Sequence, residues 1–315
     1  MKEKLSAFFE NVRVGMPSCY ANLAVYPITI DENKEFSYLL LGEALKKNQV
    51  SIGEGGEGSV PELFVDNKSD KRIFIMDGEE LIGAKQNRIL NISIVIEVKT
   101  KTKVPVSCVE RGRWHWDNGE GMKPGEIAFS CLRMENIEHV SENLKHHKVY
   151  NSNQSAVWDS VANKIHAFKV SSMTESMHDI FQVETNSIDD YRKKIALPDG
   201  ASGIAVAFNN RLFCIDIFNS AETLKKLWNK LLASYILDAI EVRNSKPNAP
   251  PVTQDDVFSF LMSAKEAGFD TYDSVGIGKD VRFKGKDCMG SALVCDDALI
   301  HLTMFKTNVK IGVKL

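Results

Sequence analysis

The chain lacks a strong charge of either sign. Its formal net charge is -3 over 315 residues, so composition gives no case for wrapping a nucleic-acid backbone. Lys99, Lys101 and Lys103 alternate in one short run, read here as a solvated strand face near a turn. No uninterrupted apolar stretch approaches the roughly 18 residues of a membrane span, so none is expected. The opening MKEKLSAFFENVRVG has no continuous apolar core of the secretory kind. The cysteines, Cys19, Cys108, Cys131, Cys214, Cys288 and Cys295, are scattered and form no CxxC pair. That pattern excludes a disulfide framework and predicts reduced thiols in a cytoplasmic protein.

Several catalytic signatures are absent as well. There is no HExxH, no zinc-type Cys/His spacing and no GxSxG elbow, and no metal-ligand set is expected. Gly276 to Asp280, GIGKD, lacks the upstream glycine and the Ser/Thr of a phosphate loop and reads as a turn. The glycine-rich SIGEGGEGSVPEL holds Glu54 and Glu57, which repel phosphate, and no Walker lysine follows. His146-His147 reads as a surface pair on opposite sides of a strand. Internal repeats and low-complexity blocks are also missing.

What is present is an ordinary globular composition, 43% hydrophobic and 26% charged. The length suits one domain over 1–305, or lobes at 1–116 and 150–305, with 306–315 as a tail. Helical spacing predicts helices over Phe36 to Lys47, Asn151 to Phe168, Ser187 to Ala196 and Glu222 to Val242. Ser187, three before Asp190, resembles a capping box, and Thr253 with Asp256 does so for a further helix that stops at Gly268. Ile204 to Phe218 is a hairpin about Asn209-Asn210, and Ala292 to Phe305 a final strand pair. Asp117 to Tyr150 begins as a connection rich in turn signals. Strands and helices mix without a βαβ rhythm. The fold class expected is therefore α+β, with mainly antiparallel sheet and packed helices.

Gly78 to Trp114 concentrates the chemistry. It runs GEELIGAKQNRILN, then an apolar alternating stretch, then PVSCVERGRW. Alternation puts Gln86, Arg88, Leu90, Ile92, Ile94 and Ile96 on one face of a continuous strand. A polar end on an apolar face either lines a pocket floor or marks an arginine locked to Glu79 or Glu80, and both readings stand. Ionisable groups that lead into an apolar strand need partners, because unpaired burial is costly. Glu79, Glu80 and Glu110 are candidates for acid–base work or for metal coordination through oxygen, the alternative being pairing with Lys85, Arg88, Arg111 or Arg113. Cys108 is the candidate nucleophile, with arginines close in sequence. A small residue packed beneath a strand is the favoured reading of it. Lys85, Gln86, Asn87, Arg88, Asn91, Arg113 and Trp114 are the candidate ligand-binding residues. Trp114 and Trp116 can stack on a flat ring, although tryptophans more often fill core. Asp216, on an apolar strand face, is read as hydrogen-bonded structure. Gly78 to Asn91 and Ser107 to Trp114 are expected to be spatial neighbours, each neutralising charge on the other.

These residues resemble the ARG and rhodanese-phosphatase-superfamily-associated domain family of mostly bacterial proteins. The resemblance rests on SVPEL (Ser59 to Leu63), GEELIGAKQNR (Gly78 to Arg88), PVSCVERGRW (Pro105 to Trp114) and SAVWDSV (Ser155 to Val161). It implies sensing or processing of a nucleotide or ADP-ribose-type small molecule in a prokaryotic conflict or signal system, with partner proteins of that system. If the chain is an enzyme, the resemblance implies a hydrolase acting on a nucleotide derivative. The alternatives are a protein-interaction module without catalysis and a hydrolase of another small molecule.

Overall fold

The computed structural model describes residues 5, 8–31, 33–54, 61–115, 121–247, 249–307 and 309. Glu57, Ser59, Trp116, the Asn118-Gly119 turn signal and most of the C-terminal tail lie outside them. The chain divides into two compact units along boundaries other than the sequence lobes. One comprises Met1–Phe36, Asn186–Asp273 and Gly278–Leu315, the other Ser37–Thr185 and Ser274–Ile277.

The first unit is built on a nine-stranded sheet. Its order is Val12–Val14, Leu23–Ile30, Gly203–Phe208, Arg211–Phe218, Ala298–Lys306, Cys288–Cys295, Lys279–Lys284 and Gly268–Asp273, with Ser18–Tyr20 paired onto Leu23–Ile30. Every ladder in it is antiparallel. The expected hairpin forms, with Asn209 and Asn210 at φ 48° and 62°, a conformation asparagine tolerates. Its strands are buried almost throughout because both faces are covered. Ile215 and Ile217 pack with Val257 and Leu261 of the Gln254–Ser263 helix. Asp216 faces the Ala221–Val242 helix, where it accepts from Tyr235 Oη and pairs with His301 Nε2 at 3.1 Å. The Thr253–Asp256 capping box is present. The helix it opens leads through a 3₁₀ turn at Ala264–Glu266, and Gly268 then begins a strand rather than ending a helix.

The second unit holds a six-stranded sheet ordered Lys123–Ile127, Glu79–Ile82, Arg88–Leu90, Lys101–Cys108, Glu62–Asn67 and Val50–Gly53. A three-stranded sheet joins Ile94–Ile96, Ile73–Ile75 and Leu39–Leu40, the last pair being parallel. Leu63, Val65, Leu81, Leu90, Ile94, Ile96, Val104 and Val106 share one apolar core. The helices are Leu41–Lys46, Ser130–His147, Gln154–Ala167 and Met177–Val183. Mostly antiparallel sheets with packed helices make the fold α+β.

Three readings are corrected. The strand from Gln86 to Ile96 is not continuous: it breaks after Leu90, and Ile94–Ile96 joins the other sheet. Ser187 lies inside the Thr185–Arg192 helix and caps nothing there. His146 and His147 sit in the last turn of the Ser130–His147 helix, a helix absent from the sequence reading.

Candidate functional site

The two polar motifs meet as expected. Arg88–Leu90 pairs antiparallel with Lys101–Cys108, setting Cys108 opposite Arg88. Residues directly opposite in a ladder share a sheet face. Arg88 therefore lies with Leu81, Cys108 and the apolar core, whereas Glu80 lies with Ile89 and Ser107 on the other face. Arg88 and Glu80 thus do not face one cleft.

Glu110 is the hub of the strand end. Its Oε1 accepts from Arg113 Nε and Thr174 Oγ1, both at 2.9 Å, and its Oε2 from Asn87 N at 2.9 Å and Arg113 Nη2 at 2.6 Å. Burial pushes the Glu110 carboxyl up, but the bonds from Arg113, Asn87 and Thr174 outweigh it and hold the group below its ordinary value. Arg113 continues to Ala84 O at 2.7 Å and to Asn87 Oδ1 at 3.0 Å. Asn87 Oδ1 also accepts from Gly83 N at 3.0 Å, and its amide reaches Ser176 Oγ at 3.3 Å. Gln86 donates to Glu110 O at 2.9 Å. A glutamate, an arginine and two amides thereby fix the 83–87 loop against residues 110–113 and 174–176. Rigid backing of this kind holds whatever side chains project from the loop.

Two side chains do project. Trp114 is 50% exposed, and the Lys85 ammonium stands 5.1 Å from its ring centroid. Arg88 is by contrast fully buried and pairs with Glu54 at 2.8 Å, not with Glu79 or Glu80. Burial draws its pKa down while Glu54 opposes that fall. Asn91 accepts from Ser107 Oγ at 2.7 Å and donates to Tyr150 O at 3.1 Å, joining strand to loop. Cys108 is fully buried, and its backbone is bracketed by the Gln154 amide at 2.8 Å on both N and O. Burial pushes its thiol up, against the pull of Glu110 O, Trp158 and Arg88. A protonated, enclosed thiol is a poor nucleophile.

Glu79 is buried opposite Ile127. Glu80 is fully buried, and its Oε2 accepts from Glu126 N at 3.2 Å and contacts His178 Nδ1 at 3.0 Å. The Lys123–Ile127 strand bulges where it passes Glu80, and Gly125 lies so close that a methyl group there would collide with the carboxylate. His178 is raised above its ordinary value, first by the Glu80 hydrogen bond, against desolvation, with Glu126 and Asp179 adding to the rise.

Sequence reasoning missed His178, Glu54, Thr174 and Gln154. Only His178 carried a local signal, since Ser176 caps the helix two residues earlier and accepts from His178 N. Its link to Glu80 spans 98 positions, which no local pattern reports.

No helix among the described residues is long and apolar enough to cross a membrane. No curated protein and no solved structure matches the chain significantly. A family model does match, over residues 11–305, and it includes the motifs that build this strand end. The chain belongs to the ARG and Rhodanese-Phosphatase-superfamily-associated Protein domain family.

Proposed function

We propose that the chain binds a nucleotide or ADP-ribose-type small molecule at the Lys85–Trp114 edge of its second unit, sensing or processing it within a prokaryotic conflict or signal system. One observation carries this reading: a half-exposed indole with a lysine 5.1 Å from its ring centre, the lysine lying on a loop that Arg113, next to the indole in sequence, fixes together with Glu110. A flat apolar ring beside a cation suits a ligand that is both ring-bearing and anionic. Fixing the loop in advance reduces the ordering cost of binding. The system and its partner proteins enter through the family resemblance alone.

Calorimetry with AMP, ADP, ATP, NAD and ADP-ribose tests the reading. Base stacking on an aromatic side chain contributes about 1–3 kcal/mol, so Trp114→Ala should weaken binding by roughly five- to a hundredfold. Lys85→Ala should weaken it by a similar factor. Both positions are at least partly exposed, so the variants keep the fold. The reading fails if none of these ligands binds, or if both variants bind as the wild type does. A second reading, an interaction module without catalysis, draws on the same network: Glu110, Arg113 and Asn87 are all engaged within the fold. It gains if the ligand panel is silent.

A further inference from the structure

Three carboxylates of the second unit whose side chains are at most 6% exposed are matched with arginines. Asp77 contacts Arg133 at 3.1 Å, Glu110 contacts Arg113 at 2.6 Å and Glu54 contacts Arg88 at 2.8 Å. Glu80, fully buried, is matched instead with a histidine at 3.0 Å. Arginine keeps its charge at any physiological pH, whereas histidine releases its proton near neutrality. A titrating partner is a poor choice for a contact that only has to neutralise a buried charge.

It is a good choice for moving a proton. The carboxylate takes the N–H of Nδ1, so in the neutral ring the lone pair sits on Nε2. The His178 side chain is 23% exposed, and its ring makes no bond other than that to Glu80 among the described residues. Glu80 Oε1 likewise has no partner among them. Gly125 and the Glu126 amide close over the carboxylate and hold it in place. His178 is two residues from Ser176, which receives the Asn87 amide of the clamped loop.

The sign of the local field narrows the chemistry. Glu80, Glu126 and Asp179 all act on the imidazole. Carboxylates oppose the negative charge spread over a transferring phosphoryl group. They favour the positive charge that builds at an anomeric carbon as a glycosidic bond breaks. We infer that His178 is a catalytic acid–base residue for hydrolysis of a glycosidic bond to a ribosyl-type carbon, and that Glu80 is its positioning residue. This rests on the nucleotide reading above and names the reaction of that site. In the step, the bond from the anomeric carbon to the leaving nitrogen or oxygen breaks, and its electron pair stays with the leaving atom. That atom takes the proton from His178 Nε2. A water oxygen bonds to the carbon, and the proton this water sheds returns to Nε2.

The test uses the full chain with NAD and ADP-ribose as probes, products being separated by chromatography and binding measured in parallel by calorimetry. His178→Asn retains an N–H donor toward Glu80 but has no group in place of Nε2. It should lower turnover by about a hundred- to ten-thousandfold, with the dissociation constant unchanged. Glu80→Gln should move the alkaline limb of the pH–rate profile to lower pH, because the imidazolium loses its carboxylate. A wild type that binds a probe and hydrolyses none overturns the inference and leaves the binding reading intact. So does a His178→Asn variant with wild-type turnover, or one whose binding falls together with turnover. If neither probe binds, the binding reading fails and the inference falls with it.

Discussion

Glu110→Ala should be among the most damaging single changes in the second unit. The substitution removes an acceptor of four hydrogen bonds and leaves the Arg113 guanidinium, whose side chain is 11% exposed, without its carboxylate. Breaking a buried pair from one side costs about 3–5 kcal/mol. Arg113 keeps Ala84 O and Asn87 Oδ1, which places the expected loss near the lower end. At about 2–4 °C per kcal/mol for a cooperative unit of the second unit's size, the melting temperature of that unit should fall by roughly 6–15 °C. Arg113→Ala should cost a comparable amount, and the double variant less than the sum of the two, with a coupling of about 1–3 kcal/mol. Urea unfolding with an unchanged slope provides the measurement. The pH dependence carries its own sign. The folded carboxyl lies below its ordinary value, so its stabilisation is complete above the unfolded value of about 4.3 and is lost as pH falls through the folded one. The variants should therefore lose less stability on acidification than the wild type. A single-variant cost below about 1 kcal/mol, or additive costs within error, would refute the idea that this pair fixes the strand end.

Gly125→Ala should destabilise by several kcal/mol, because the added methyl meets the fully buried Glu80 carboxylate; a melting temperature equal to wild type would show that the bulge has room. The His178 pKa, followed by NMR, should lie above about 6.5 and drop in Glu80→Gln. Since the folded value is the raised one, the stability contributed by this pair is complete below about 6.5 and is lost as pH rises through the folded pKa, and a flat stability profile across that range would contradict it. Cys19 is exposed and Cys108 buried, so a thiol reagent should label Cys19 rapidly and Cys108 only on unfolding; mass spectrometry of the labelled peptides distinguishes the two.

Much of the fold was legible in the sequence because its signals are local. Thr253 and Asp256 are three residues apart and cap each other, and Asn209-Asn210 marks its own turn. The Ser130–His147 helix escaped notice because Phe129 precedes it with no side-chain cap and its first turn holds no acidic residue. Its buried stripe of Leu132, Ile137, Val140 and Leu144 is interrupted by the polar Arg133 and Asn136, which are buried with it. The neighbourhood of the two polar motifs was legible because unpaired charge in apolar surroundings must find charge elsewhere. Their facing was not. Treating Gln86 to Ile96 as one strand hid the break after Leu90, and the partner that Arg88 takes, Glu54, comes from the glycine-rich stretch read as a turn and rejected as a phosphate loop. The Ser176 cap beside His178 was a local signal, but the histidine's partner Glu80 is likewise fixed by topology.

The central claim is that the clamp of Glu110 and Arg113 holds Lys85 and Trp114 together for a ring-bearing anion. The most direct measurement is an amide and indole NMR titration of the isotope-labelled chain with ADP-ribose and with NAD. The account predicts a saturable shift of the Trp114 indole N–H, assigned by its loss in Trp114→Ala, together with shifts of the backbone amides of residues 83–87. Indole and loop resonances that stay in place through millimolar additions of both compounds would contradict it.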